Sequence, residues 1–183
     1  MTALRRQAPV WAVVLGGWLT VTVACQAVTR VAFASSARRL LAVHFINHFK
    51  DPASVAFGIW LNNSKMTAGV AACIALVALT RWIAPAGRRG VERIPVWVMD
   101  VILGVWAVWT AVLAGVLLGA YGSLQLHAFL PDGPAEIVAW ALLLALYINA
   151  RRGRNGCRAT VCGLAAVEGL LALAAVLETG RWL

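Results

Sequence analysis

Charged residues are scarce in this sequence. They make up 13% of 183 residues, and Asp and Glu together number only 7, whereas 62% of the chain is hydrophobic and 9 residues are Trp. Soluble domains ordinarily carry about 25% charged residues. This scarcity excludes an ordinary soluble domain and predicts an integral membrane protein.

The apolar segments also lack the polar–apolar alternation of a transmembrane strand, as VILGVWAVWTAVLAGVLLGAY shows. Each is about 20 residues long, enough to cross a hydrocarbon core about 30 Å thick. Backbone groups in lipid must bond within their own segment, which favours helices. We predict an all-α, polytopic membrane helix bundle, a single domain over 1–183, with five spans at about 8–28, 58–80, 96–121, 135–150 and 159–178.

Motifs of the common enzyme classes are lacking as well. There is no HExxH motif, no nucleotide-binding loop and no recognisable pair of nucleophile and base. The cysteines lie in or beside different spans, which indicates neither a disulfide framework nor a zinc knuckle; they are Cys25, Cys73, Cys157 and Cys162. We therefore expect no catalytic residues, no cofactor and no metal.

The basic residues predict an orientation. If the N-terminus is cytoplasmic, 10 of the 16 basic residues lie in short cytoplasmic segments and 6 lie outside, with none in the loop 122–134. The positive-inside rule then places the C-terminus outside. The basic residues flank membrane spans instead of sharing one soluble face, so nucleic-acid binding is not indicated. The first apolar run, about 21 residues, exceeds a usual signal h-region, so we expect it to be retained.

The segment after the first span has a helical apolar period. In SARRLLAVHFINHFKD, Leu and Phe recur every fourth position from Leu41 to Phe49, while polar residues occupy other sides. Basic residues and a Leu/Phe face are typical of helices that lie at the headgroup boundary. We predict an interfacial amphipathic helix over about 36–50.

Two histidines and a carboxylate share one edge of this predicted helix. His44, His48 and Asp51 follow an i, i+4, i+7 spacing that suits a metal ion. No Glu lies between the histidines as in HExxH, so we favour a solvated polar border. No metal site is assigned.

Polar residues begin the second span. Asn62 and Asn63 bring donors and acceptors that either cap the helix start or bond to a neighbouring helix. Lys65 is separated from Arg81 by 15 uncharged residues, about 22 Å of helix. Both charges can therefore reach the two interfaces by snorkelling.

Glu168 is the charge that snorkelling does not explain. It lies about ten residues into the last span, where a carboxylate costs several kcal/mol unless it is neutral or has a partner. We expect it to face the bundle interior. Asp100, near the start of span three, is expected to pair with Arg93 or Arg89.

Small residues indicate packing faces. Gly115 and Gly119 form a GxxxG, and Ala68 and Ala72 repeat the spacing in span two. Such spacing lets helix backbones approach closely in a membrane. We predict helix packing at both pairs.

A short polar stretch, LHAFLPDGPAE, precedes span four. Its prolines restrict the backbone, its glycine allows a tight turn, and its acidic residues favour a helix start. We expect a turn that caps span four and packs polar groups against the outer end of span two. The polar candidates for structure or partner contact are Asn62, Asn63, Lys65, His127, Pro131, Asp132, Gly133, Glu136 and Glu168.

The order of these elements resembles the SpoIIM family, the stage II sporulation protein M group. The resemblance rests on WLNNSKMTAGVAACIAL, a glycine-rich third span, and LPDGPAEIVAWALLLAL, and it covers about residues 40 to 178. It places Asn62 and Asn63 on the family's Asn pair, and Pro131, Gly133 and Glu136 on its turn. Asp132 stands where the family commonly has His.

The resemblance implies a non-enzymatic protein of the bacterial cytoplasmic membrane. Members take part in complexes for peptidoglycan remodelling or occur with ABC transporter genes. Two functions are thus open: a scaffold with cell-wall remodelling partners, or an accessory or permease-like subunit beside an ABC ATPase, in a homo- or hetero-oligomer. An intramembrane enzyme is the third hypothesis, and the missing motifs argue against it.

Overall fold

The computed structural model describes residues 2–41, 51–83, 94–122 and 132–180. Within these ranges nearly all residues are helical and none is in a strand, which confirms the predicted all-α fold. The helices are α1 (Thr2–Val28), a π-helical segment (Thr29–Phe33), α2 (Ala34–Leu41), α3 (Pro52–Ile83), α4 (Ile94–Tyr121), α5 (Asp132–Arg151) and α6 (Cys157–Gly180).

Five helical segments are long and apolar enough to cross a membrane. This makes the protein a multi-pass membrane protein. The candidate spans are Val10–Leu40, Ala53–Trp82, Val96–Tyr121, Asp132–Arg151 and Cys157–Thr179.

The first span differs from the sequence prediction. The helix does not end near residue 28 but continues to Leu41, and the π-helical turn at Thr29–Phe33 widens it without breaking it. No Gly or Pro occurs between Trp18 and Asp51, so nothing in the sequence ends the helix there. Residues 36–41 of the predicted interfacial helix thus belong to this continuous helix, and 42–50 lie outside the described residues.

Arg38 fixes the end of this helix to the end of α4. Its Nε donates a 2.7 Å hydrogen bond to the carbonyl oxygen of Ala120. The hydroxyl of Tyr121 in turn donates to the Arg38 carbonyl oxygen at 3.4 Å. Arg38 therefore satisfies a carbonyl that the end of α4 leaves without a helical partner.

The bundle is organised around α5. This helix contacts α1, α3 and α6, while α1 also packs against α4 and α3 also packs against α6. In α5, 56% of the span is buried inside the protein, compared with 11–28% for the other four. Leu143 and Leu146 of α5 are fully buried together with Val70, Val167 and Leu171.

Gly115 and Gly119 pack α4 against α1. A Cβ on Gly115 would lie 2.6 Å from the Cβ of Cys25, and a Cβ on Gly119 would lie 2.7 Å from the Cβ of Thr29. Real Cβ atoms do not approach so closely, so both positions require glycine for this packing. The GxxxG pair thus lies on the α1–α4 contact.

Ala68 and Ala72 do not share this role. Both are exposed on α3, so the prediction of a packing face there is wrong within the chain. The face of α3 that packs internally is instead formed by Val70, Cys73, Ile74 and Val77, which are buried. Spacing alone identifies small residues, but it does not identify the side on which a partner lies.

The two ends of the bundle carry different polar clusters. One end, called here the carboxylate end, brings together Asp132, Glu136 and Glu178. The opposite end, called the arginine end, holds the connection from α5 to α6, whose basic residues are Arg151, Arg152, Arg154 and Arg158. Arg81 at the end of α3 joins this end by donating to the carbonyl oxygen of Arg151.

Candidate functional site

Four of the nine polar candidates from the sequence, Asn62, Asn63, Asp132 and Glu136, meet at the carboxylate end. They line a recess of about 590 Å³ between α3, α5 and α6, called here the carboxylate recess. Its lining residues are Val55, Gly58, Ile59, Asn62, Asn63, Asp132, Glu136 and Glu178. The recess combines three carboxylates with two amides, so it can accept hydrogen bonds and attract positive charge.

Asn63 and Glu136 connect α3 to α5 in this recess. The Asn63 Nδ2 donates a 2.9 Å hydrogen bond to Glu136 Oε1, and both residues are partly buried. Because α3 begins at Pro52, Asn63 lies well inside the helix and does not cap its start. Of the two roles considered for the Asn pair, the interhelical bond is the one that Asn63 has.

Asp132 and Gly133 form the buried beginning of α5. Asp132 is its first residue, is only 8% exposed, and lies where the helix dipole favours a negative charge. Gly133 is buried beside it. The other candidates in this stretch, His127 and Pro131, lie outside the described residues.

Lys65 lies on the exposed side of α3. Its Nζ donates to the Asn62 side-chain oxygen at 3.4 Å. Asn62 therefore lies between the recess, which it helps to line, and the exposed face with Lys65. The exposure of Lys65 is consistent with a side chain that reaches an interface by snorkelling.

Glu168 has two partners on α3. Its Oε2 accepts a 2.9 Å hydrogen bond from Trp60 Nε1 and a 2.6 Å hydrogen bond from Ser64 Oγ. Trp60 and Ser64 are one helical turn apart, so both donors face the same point on α6. The partly buried carboxylate is thus held by hydrogen bonds between spans, as its depth in the sequence required.

A second polar cluster lies at the arginine end. Arg151 pairs with Asp100, with 2.9 Å between Nη2 and Oδ2, and the Tyr147 hydroxyl donates to Asp100 Oδ1 at 2.7 Å. The partner of Asp100 in the described structure is thus on α5. The expected partners, Arg89 and Arg93, lie outside the described residues.

Neither cluster has the arrangement of a metal site among the residues that the structure describes. Among the residues that the structure describes, no group of three or more His, Cys, Asp or Glu is placed to hold a metal ion. His44 and His48 lie outside the described residues, and their spacing with Asp51 stays a sequence observation. What the described clusters offer is hydrogen bonding, with carboxylates at the carboxylate end and an ion pair between Arg151 and Asp100 at the arginine end.

Sequence reasoning missed four members of these clusters. Trp60 and Ser64 are four residues apart, so both lie on the side of α3 that faces α6. Glu178 lies in the last turns of α6. Tyr147 is one of only two tyrosines and sits one turn before Arg151. These spacings are visible in the sequence, but the partners of these residues depend on how each helix is rotated in the bundle.

Comparison of the chain with family models, with curated proteins and with solved structures finds no match. The function of the chain is therefore inferred from its sequence and from the polar contacts between its helices.

Proposed function

We propose that the chain is a non-enzymatic, SpoIIM-like membrane protein that acts as a scaffold in a complex of the bacterial cell envelope. Its surroundings would be the lipid bilayer of the cytoplasmic membrane, and its partners other membrane proteins of the peptidoglycan-remodelling type. It would work as a homo- or hetero-oligomer, without cofactor or catalytic residues.

The hydrogen bond between Asn63 and Glu136 is the observation that supports this proposal most. It joins the two segments on which the resemblance rests, the Asn pair of α3 and the LPDGPAE stretch, whose residues from Asp132 onward form the beginning of α5. A carboxylate held by an amide from a neighbouring helix is fixed in position, which suits a surface that must keep its shape for a partner. The carboxylate recess beside it is open at one end of the bundle.

Cross-linking in native membranes tests the scaffold. The tagged full-length chain is expected to co-purify with cell-wall remodelling proteins, and Asn62→Ala is expected to reduce that recovery because Asn62 lies on the rim of the recess. Asn155→Ala, at the arginine end, is the matched control. Recovery of soluble proteins alone, unchanged by Asn62→Ala, would contradict the proposal.

An accessory or permease-like subunit of an ABC-type export or immunity system is the alternative. It is favoured by the positions of Glu136, Glu168 and Glu178, which extend from the recess along the contact of α3 with α6. Polar residues within spans are typical of transport pathways. Recovery of an ABC ATPase in the same cross-linking experiment, in place of cell-wall proteins, would favour this function.

The proposed orientation is N-terminus cytoplasmic and C-terminus outside, which puts the carboxylate recess outside. Single cysteines at Ser123 and Gly156, in a chain without other cysteines, are labelled in intact cells with an impermeant maleimide. We expect Ser123→Cys to react and Gly156→Cys to react only after lysis. Labelling of Gly156→Cys alone in intact cells would show that the orientation is the opposite one.

A further inference from the structure

A second cavity lies next to the recess, between α1, α4 and α5. It measures about 220 Å³ and is called here the tryptophan cavity, because Trp18, Trp106 and Trp140 line it. Its other lining residues include Leu113, Leu117 and Ile137, so the wall is mainly apolar. An apolar cavity with a few placed polar groups is the usual form of a small-molecule site.

The walls of this cavity are held in place by contacts between helices. Trp106 of α4 and Trp140 of α5 meet edge to face, with ring centroids 5.3 Å apart and planes at 81°. Trp18 Nε1 of α1 donates a 3.2 Å hydrogen bond to Thr110 Oγ1, and that hydroxyl donates to the Ala107 carbonyl oxygen at 3.0 Å. The polar atoms of Trp18 and Thr110 therefore have partners in the protein, and a ligand would meet mainly aromatic and aliphatic surface.

Glu136 connects the cavity with the recess. It lines both, and among the described residues that line the tryptophan cavity it is the one with an ionisable side chain. Its carboxylate is oriented by the Asn63 amide through Oε1. A carboxylate at the edge of an aromatic cavity provides the two features that bind organic cations, an opposite charge and aromatic rings.

We propose that the tryptophan cavity binds a small amphipathic organic cation, whose apolar part lies among the three tryptophans and whose ammonium group pairs with Glu136. The volume is below the about 300–1,000 Å³ of sites for drug-sized ligands. The ligand would thus carry one aromatic ring or a short alkyl chain.

The charge of the recess argues against a phospholipid as the occupant. An ethanolamine lipid also carries an ammonium group, but its phosphate would lie beside the remaining carboxylates, Asp132 and Glu178. Like charges within one recess repel each other. A cation without a phosphate avoids this repulsion, so the proposed ligand is a simple amine or quaternary ammonium compound.

Calorimetric titration of the full-length protein in phosphatidylcholine nanodiscs tests the proposal, with empty nanodiscs as the blank. The probe is benzylammonium, and benzyl alcohol is a neutral compound of nearly the same shape. We expect saturable binding of benzylammonium, and at least about tenfold weaker binding of benzyl alcohol. Equal binding of the two compounds, or no saturable binding of the cation, would overturn the proposal. This test uses the unmodified protein and requires no variant.

Two pairs of variants locate the site. Glu136→Gln is expected to weaken benzylammonium binding about tenfold or more, whereas Glu168→Gln, the same change at the α3–α6 contact, is expected to leave it within about twofold. Ala114→Phe, which fills the cavity from α4, should abolish binding, and Val105→Phe on the exposed side of α4 should not.

Circular dichroism and gel filtration of each variant show whether it is folded. Unchanged affinity in folded Glu136→Gln would contradict the role of the carboxylate. Unchanged affinity in folded Ala114→Phe would place the ligand elsewhere. Either result is independent of the scaffold function, since cross-linking to partners does not require the ligand.

Discussion

Asn63 on α3 and Glu136 on α5 are 73 residues apart in the chain and form a 2.9 Å hydrogen bond. Their bond joins the two segments that stood out in the sequence, the Asn pair and the turn before the fourth span. Both side chains lie at the carboxylate end, in a place where water competes less effectively than at an open surface. The pair can therefore be tested as one unit.

Asn63→Ala and Glu136→Ala should each lower thermal stability in detergent. Hydrogen bonds between membrane helices are worth about 0.5–2 kcal/mol, and the double variant should lose less than the sum of the two single losses, because both remove the same bond. Asn62→Ala is the control, since the described bond of Asn62 is to exposed Lys65. Strictly additive losses would mean that the bond contributes nothing to stability.

Glu168 is expected to tolerate an amide but not a cation. Glu168→Gln keeps an oxygen acceptor for Trp60 and Ser64, whereas Glu168→Lys removes the acceptor and leaves a charge at a depth where Lys costs about 2.5–3.5 kcal/mol. The measure is the amount of folded protein in membranes, by immunoblot and gel filtration. Glu178→Lys, near the end of α6, is the control and should be milder. Normal accumulation of Glu168→Lys would mean that the carboxylate is not confined.

Alanine at Gly115 or Gly119 should destabilise the contact of α4 with α1. The new methyl group would meet Cys25 or Thr29, at 2.6 or 2.7 Å, and overpacking costs about 1–3 kcal/mol. Gly104→Ala is a matched control on the same helix, because a Cβ at that position would have no neighbouring atom within 4 Å. Thermal unfolding in detergent measures all three. Equal stability of Gly104→Ala and Gly115→Ala would argue against the close approach.

Arg151→Gln should lower stability by less than the changes above. The Arg151 and Asp100 side chains are 42% and 36% exposed, and ion pairs with such access to solvent are worth about 0–1 kcal/mol. The loss should shrink as salt is raised, because salt screens exposed charges. Arg152→Gln, beside it and exposed, is expected to be neutral. A large loss that does not depend on salt would indicate a more strongly buried pair.

The helical class and most spans could be predicted because length and hydropathy alone determine them in a bilayer. The end of the first span could not be predicted, because the apolar run is followed by the more polar ASSARRLL and no Gly or Pro ends the helix. Asp100 likewise had basic neighbours close in sequence, yet its described partner, Arg151, comes from a distant segment. Such partners depend on depth and rotation of the helices, which the sequence does not specify locally.

The contacts of the Asn pair and of Glu168 could be predicted only in part. Their depth indicated that they need partners, and the expected position of the turn before the fourth span placed it near the Asn pair. The identity of Trp60 and Ser64 as donors to Glu168 required the structure. The tryptophan cavity could not be predicted from the sequence, since Trp18, Trp106 and Trp140 come from three different spans.

The central position of α5 has a consequence for synthesis. The ribosome makes α1, α3 and α4 before α5. Asn63 and the apolar face of α3 therefore have no neighbouring helix from α5 or α6 until those helices enter the membrane. The pair of α1 with α4 can form early, but the pair of α3 with α6 is complete only with the last span. A chain cut before Asp132 would therefore leave α3 without its two main neighbours and should be a substrate for membrane quality-control proteases.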